Sequence, residues 1–569
     1  MRHNAARDRL SQLNNACDIL SHSQRSDQMI LLKGFEGVLR VLLARTARNY
    51  PIYMSTHFLN LLNRTWLYCT VFITGAAVMV IELLGTRLIA PFYGASLYVW
   101  TSVISVTLIA LACGYFVGGR WADRSIRFGL ATIIALSGFL TLVVPWLTAP
   151  VLLMTDPLEL RMGTFASTLI LFTPSLFMLG MVGPFAVKLV TSNLDDVGTS
   201  TGSIYAASTV GSVIGTLFLG FYLFPQVGSR EIFIGLGLGL LALAFCVAYF
   251  ERNRVKLAVS LSTVTALFTA SVILLPFIAD SGKQNTDDQH FQTRFERESL
   301  YGWVRVVDNS AENYRLLMMD ASAIGAASIS HGENILMYQE IVTHLPKLAP
   351  GMQRALLIGQ GAGHMAMTLK QYGIETDTLE IDPVVSEAAR TYFDFQPTGK
   401  TIIGDARYEV RKLKGPYDLV IMDVFTGGSE PVHLLTTESM FQLQSLLSDN
   451  GVVALNFVAF YEDGRNAALA SVAKTLAHVF PHQIALISEP GREFNDFVFI
   501  ASNQFIDIDA AHLNSLQRNW FKQRLVTPDQ TQGFVLTDNL NPLESLQARK
   551  AEHYRLMMAD FFGLNQFIR

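Results

Sequence analysis

Glycines and acids recur at one place in a repeating pattern, directly after short apolar stretches that read as β-strands. The first stretch, Arg354-Ala-Leu-Leu-Ile358, runs into Gly359-Gln-Gly-Ala-Gly-His364. Glycine lets a backbone approach a ligand where a side chain would collide, which makes Gly359, Gly361 and Gly363 candidate binding residues. Glu380, followed by Asp382, ends a second stretch about 20 residues on, where a carboxylate can accept from two ribose hydroxyls. Gly404-Asp-Ala406 ends a third, and Asp405 there can accept from an exocyclic adenine amine. Asp423 ends a fourth, Tyr417-Asp-Leu-Val-Ile-Met422, where a carboxylate can face a reacting centre and take a proton from it. Singly, each of these is as readily a helix cap or turn former. Four in register point to one nucleoside site. The chain has no GKS/T loop, and acids crowd the pocket, so a phosphate is disfavoured.

His344, His364 and His433 lie nearest these strand ends. His344 reads as a hydrogen-bonded structural residue. His364 opens the helix after the glycine loop, as a polar contact or as a cap. No metal-ligand spacing unites them, so no metal is expected. The four cysteines, Cys17, Cys69, Cys113 and Cys246, form no CxxC pair and read as small core residues.

Strand and helix alternate through this region, which predicts a parallel α/β sheet with its ligand at the carboxyl ends of the strands. Later strands are expected at Gly451–Phe457 and Phe497–Ser502. Upstream, Tyr301–Asp308 and Tyr314–Asp320 alternate as an antiparallel hairpin subdomain does. Residues 280–290 read as a linker, and Met337–Pro346 as a helix stopped by its proline.

The rest of the chain is different in kind. Of 569 residues half are hydrophobic and 16% are charged, with a mean hydropathy of +0.32; an ordinary soluble domain carries about 25% charge. The apolar content excludes disorder and a collagen-like fibre. Seven runs suit crossings of a hydrocarbon core about 30 Å thick, near 66–90, 97–118, 129–152, 164–190, 204–224, 231–250 and 257–279. Residues 1–64 carry nine Lys/Arg against four Asp/Glu, 65–279 ten against eight, and 280–569 the remaining 24 against 35. The acidic end argues against nucleic acid and would attract a cationic substrate. Ile30–Ala44 reads as an amphipathic helix, either on a membrane surface or packed on the soluble half. The leader, Arg120/Arg124/Arg127 and Arg252/Arg254/Lys256 share one side, which the Lys/Arg bias makes cytoplasmic. Arg87, Arg161 and Arg230 share the other. Parity over seven spans then places residues 280–569 outside the cytoplasm. Glu82 and Arg87 stand at or near membrane depth and read as a structural pair or as a functional site.

Residues 294–545 resemble spermidine synthases, aminopropyltransferases that use decarboxylated S-adenosylmethionine. The matching pieces are Tyr338-Gln-Glu-Ile-Val-Thr-His-Leu-Pro346, the glycine loop, Glu380-Ile-Asp382, Gly404-Asp-Ala406 and Tyr417–Asp423. The apolar half resembles the N-terminal part of bacterial membrane-fused spermidine synthase-like proteins, through Gly75–Arg87, Gly118–Arg124 and Ile204–Gly211. Ser429–Thr436 and Leu536–Glu544 look like that group too. The resemblance implies a multi-span α-helical membrane domain (65–279) behind a basic leader (1–64). A linker and β-hairpin subdomain (280–345) and a Rossmann-like, methyltransferase-type domain (346–569) follow. It puts Glu380 on the ribose, Asp405 with Ala406 at the adenine, and Asp423 on the attacking amine, with Tyr338 and Gln339 lining the cleft.

The resemblance further implies S-adenosylmethionine or its decarboxylated form as co-substrate and an amine or polyamine as acceptor. It also implies a bacterial inner-membrane location, with a homodimer among the assemblies it allows. Three positions depart from the family. Ala362 stands where synthases hold the aminopropyl amine with an aspartate, and Asp320 is followed by Ala321 where they have glutamine. Val424–Ser429 separates Asp423 from the next acid, Glu430, the alternative proton acceptor. The nucleoside half of the site is kept and the amine half altered. A methyltransferase on the same scaffold, and a non-catalytic nucleoside or polyamine sensor or transporter, remain open beside aminopropyl transfer.

Overall fold

The computed structural model describes residues 56–94, 96–124, 129–191, 197–251, 257–280, 291–425, 430–461, 466–510 and 512–568. The chain divides into two compact units at Asn63/Arg64, and everything below concerns the second, apart from the first turns of the helix that begins at Thr56. The expected amphipathic helix at Ile30–Ala44 lies outside the described residues.

The apolar half is a stack of long helices: α1 (Thr56–Tyr93), α2 (Leu97–Arg124), α3 (Leu130–Thr155), α4 (Glu159–Val190), α5 (Val197–Phe218), α6 (Ser229–Phe250) and α7 (Leu257–Asp280). Among the described residues, six stretches are long and apolar enough to cross a membrane. The longest, Leu130–Val190, is a hairpin of α3 and α4. A single turn, Asp156–Leu158, and a left-handed Glu159 (φ 59°) reverse the chain there. Ser137 and Thr141 of α3 then meet Ser175 of α4 at 3.1 and 2.5 Å, which satisfies hydroxyls buried between two apolar helices. Against α2, α4 packs backbone to backbone: a Cβ on Gly114 would lie 2.5 Å from the Phe177 carbonyl.

Glu82 and Arg87 do not hold each other. Five residues on a helix turn about 140°, so the two point different ways. The Arg87 guanidinium instead donates to the Ser299 and Leu300 carbonyls and lies over the Phe224 ring at 4.0 Å, which ties α1 to the soluble half.

That half opens with an antiparallel sheet, β1 (Phe291–Glu298), β2 (Trp303–Asn309), β3 (Tyr314–Met319) and β4 (Ser322–Ser328), in simple meander order. Helix α8 (Met337–Leu348) runs through Pro346 to Leu348, past the stop expected at that proline. The proline sits in the last turn, where a missing N–H removes one bond and little more.

An eight-stranded sheet follows, in order β12-β10-β11-β9-β8-β5-β6-β7. β5 (Arg354–Ile358), β6 (Glu375–Glu380), β7 (Thr401–Ile403), β8 (Tyr417–Met422) and β9 (Leu447–Phe460) are parallel. Helices α9 (His364–Gln371), α10 (Pro383–Tyr392), α11 (Thr437–Ser445) and α12 (Ala467–Val479) connect or cover them. The expectation of an all-parallel sheet fails at one edge. β10 (His482–Ile487) and β11 (Phe494–Ser502) pair antiparallel, as do β11 and β9, and β12 (Leu525–Val526) with β10. Only six residues join β10 to β11, too few for a crossover, so the chain must double back. Helices α13 (Ser515–Arg524) and α14 (Ala548–Phe562) complete the fold. β8 is buried on both faces, with Leu419, Val420, Ile421 and Met422 at most 1% exposed, and so delivers Asp423 to the carboxyl edge on a rigid support.

Candidate functional site

At the carboxyl edge of β5, β6 and β8 a cavity of about 750 Å³ opens, walled by the glycine loop, the segment before α8, α14 and the ends of α2 and α4. It brings together Gly359, Gly361, Glu380, Tyr338, Asp423 and Glu430.

The glycine loop is shaped by the protein itself. Gly359 (φ +87°) passes so close to β8 that a Cβ would lie 1.9 Å from the Asp423 carbonyl, so only glycine fits with or without a ligand. Gly363 abuts Phe395 and precedes α9, away from the cavity wall. Glu380 accepts the Gln360 and Asp382 N–H groups, each at 3.1 Å, and so braces the loop. Burial pushes its carboxyl up to about 7, with the nearby Asp382 charge adding to the shift and the backbone N–H groups opposing it. A carboxylate has about four acceptor sites, so room for a diol remains.

Asp382 is fully buried, accepts from Ser299 Oγ at 2.5 Å and caps α10 through the Val384 N–H at 2.9 Å. Its geometry is that of a helix cap. Asp405 is exposed and caps a short helix through the Tyr408 N–H at 3.1 Å. Neither Asp405 nor the buried Ala406 reaches the cavity wall. The adenine contact expected of them is therefore not formed by the wall as it stands. The Asp405 charge does reach Tyr301, whose phenol on that wall is raised by burial first and by Asp382, Asp405 and Glu380 after it.

Asp423 is the centre of the second half. Tyr338 donates its hydroxyl to Oδ2 at 2.8 Å, and Gln339 Nε2 donates to the Tyr338 oxygen at 3.2 Å. Asn456 Nδ2 donates to Asp423 Oδ1 at 3.0 Å and reaches Asp496 Oδ1 at 3.5 Å. Two carboxylates thus share one amide. Burial pushes Asp423 up to about 6, opposed by the Tyr338 and Asn456 bonds. Burial, then the Asp423 charge, pushes Asp496 up to about 7. A pair held in that range is poised to gain or lose a proton near neutrality and to receive a cation.

Glu430 is not the free base that its spacing from Asp423 suggested. It is 3% exposed, with Oε1 accepting the Val458 N–H at 2.8 Å and Oε2 accepting Gln547 at 2.7 Å and Lys550. Burial lowers the Lys550 ammonium, and Glu430 is the first charge opposing that. With every partner in place, Glu430 is held to the start of α14 through Gln547 and Lys550. Phe425, at the loop's other described end, packs edge-on against Tyr554 of α14 at 5.5 Å.

The histidines divide. His364 is buried and packs edge-on against Phe393 at 5.9 Å, and His344 stacks on Trp520 at 5.0 Å. His433 alone of the three lines the cavity. Ala362 is buried against Gly325, where a Cβ on the glycine would lie 2.6 Å from the alanine Cβ. Asn456 and Asp496 escape notice in the sequence. One polar residue inside Val-Val-Ala-Leu-Asn-Phe-Val, and one acid inside Phe-Asn-Asp-Phe-Val-Phe, are the marks they leave there.

Residues 335–495 match the spermine/spermidine synthase domain. A polyamine aminopropyltransferase of Vibrio vulnificus is 41% identical over 114 residues, 19% of this chain and 38% of that protein. An N-terminal histidine N-methyltransferase of Emericella nidulans is 30% identical over 310 residues, 48% of this chain and 53% of its own length. Polyamine aminopropyltransferase 2 of Streptomyces coelicolor is 25% identical over 438 residues, covering 71% of this chain and 76% of that one. The chain spans about half or less of the first two of these relatives. The soluble half therefore contains a spermidine synthase-like domain of transferase type, on a Rossmann-like sheet preceded by an antiparallel one.

Proposed function

From a spermidine synthase-like domain whose strand ends converge on one cavity, we propose a membrane-held transferase that moves an alkyl group from an S-adenosyl sulfonium donor to an amine. One observation carries the reading. Asp423, held by Tyr338 and Asn456, shares a cavity with Glu380 and the glycine loop. Glu380 takes the ribose hydroxyls and Gly359 and Gly361 let the nucleoside approach. Asp423 receives the proton of the incoming ammonium, so the amine lone pair can attack the sulfonium carbon in line. Tyr338 and Asn456 fix the carboxylate's two oxygens, and Asp496 adds a second negative charge that favours the cation. In this reading the helices α1–α7 lie in a bilayer and the site stands at its surface on the side of Arg87, Arg161 and Arg230, and the Lys/Arg bias supports the outer face.

Aminopropyl transfer is the first form of this reading, with polyamine-type amines as acceptors. Methyl transfer is the second, and Ala362 against Gly325 favours it, because no acid stands there to hold an aminopropyl amine. Incubating the purified chain with each donor decides. Methylthioadenosine formed from the decarboxylated donor supports aminopropyl transfer, and S-adenosylhomocysteine supports methyl transfer. Tight nucleoside binding with neither product would make the protein a sensor and end the catalytic reading.

A further inference from the structure

We propose that the acceptor is a primary amine borne on an apolar chain, a lipid amine that reaches Asp423 from the bilayer plane; this rests on the transferase reading above. The cavity's two ends differ in chemistry. At the floor, Asp423 and Asp496 share the Asn456 amide and offer negative charge to one cation. The wall belongs partly to the helical half, through Tyr98 at the start of α2 and the buried Leu160 at the start of α4. Ile335, Met337 and Met557 on the same wall leave 44%, 45% and 41% of their surface open, apolar area that an alkyl chain would cover. A second space of about 460 Å³ shares Tyr98, Leu160 and Ala548 with the main cavity, but Glu159, Arg161, Arg549 and Glu552 line it too, so it suits a polar head group and not the alkyl chain.

A soluble polyamine is the competing acceptor. Glu430 is closed to its far ammonium by Lys550, which leaves Glu489, facing Arg492 at 2.9 Å, and Glu544, which accepts the Leu97 N–H at 2.9 Å. One charge at the floor and hydrocarbon above it is the pattern of an amphiphile. In the transfer, the amine lone pair forms a C–N bond to the carbon on the sulfonium. The C–S bond breaks with its electron pair going to sulfur, which leaves as a neutral thioether; Asp423 has already taken one proton from the incoming ammonium, and the product leaves as a secondary ammonium.

The test uses the full chain in vesicles, with donors labelled in the aminopropyl or the methyl group. One set of vesicles is phosphatidylethanolamine, which carries a primary amine. The other is phosphatidylcholine, which has none, and putrescine is offered in both. The expected result is label in the organic extract of the phosphatidylethanolamine vesicles, at least about tenfold above the phosphatidylcholine background. Label in putrescine alone, at equal rates in both vesicles, overturns the lipid acceptor and leaves the transferase reading intact. Donor left unconsumed with every acceptor, while methylthioadenosine still binds, overturns both.

Discussion

Asp423 and Asp496 illustrate what two neighbouring acids do that one cannot. Each resists ionisation because it is buried, and the Asp423 charge adds to the resistance of Asp496. Substituting Asp423→Asn keeps the shape and removes charge and basicity, so turnover should fall about 10²–10⁴-fold while nucleoside affinity stays nearly constant. Near-normal single-turnover rates would hand the proton to another group. The pH profile carries a second prediction. A base must be deprotonated to work, so the rate should rise with pH through the range from about 6 to about 7 set by these two acids. Asp423 ionises first, and its charge then holds Asp496 back, so Asp496→Asn should remove the step near 7 and leave the limb near 6 in place. A profile that keeps both steps in that variant would show that Asp496 is not the second titrating group.

At the scale of elements, the antiparallel edge of the sheet makes the pair. Asn456 on β9 lies opposite Val498 on β11, and Asp496 lies opposite Val458. Residues two apart on a strand share a face, so Asn456 and Asp496 are diagonal neighbours on the same side of the sheet. α14 closes the site from above through the buried Glu430–Lys550 pair, both side chains 3% exposed. Glu430→Gln leaves the Lys550 ammonium buried without its counter-charge, which should cost about 3–5 kcal/mol. The Tm of the soluble half should drop accordingly, and adding Lys550→Met should recover much of the loss. A Tm for Glu430→Gln within a degree of the parent would mean the pair is not buried as described.

For the whole molecule, three polar contacts join the helical half to the sheet-bearing half. Arg87 bonds to the Ser299 and Leu300 carbonyls, Arg555 of α14 pairs with Asp156 at 2.6 Å, and Ser229 N–H donates to Glu298 at 2.7 Å. All three contacts gather at the α1, α3–α4 and α5–α6 ends, the side poor in Lys/Arg. The Lys/Arg bias leads us to propose that this side faces out, and the orientation bears directly on where the donor comes from. In a chain stripped of its cysteines, Gln523→Cys on α13 should react with a membrane-impermeant maleimide from outside intact cells. Reaction only after the membrane is opened would reverse the orientation.

Local rules were enough for much of this. Apolar run lengths locate the long helices, and the strand-then-acid rhythm locates β5, β6 and β8 with Glu380 and Asp423 at their ends. Both follow from periodicity and length, which are properties of neighbouring residues. The same rhythm could not separate Glu380, which faces the cavity, from Asp382 and Asp405, which cap helices, because capping and ligand binding call for the same side chain at the same place. Asn456 and Asp496 enter only when β11 folds back between β9 and β10, and Lys550 meets Glu430 across 120 residues of chain. The reach of the cavity to Tyr98 and Leu160 likewise belongs to neither half alone. Such contacts are set by how elements pack, and no spacing along the chain encodes them.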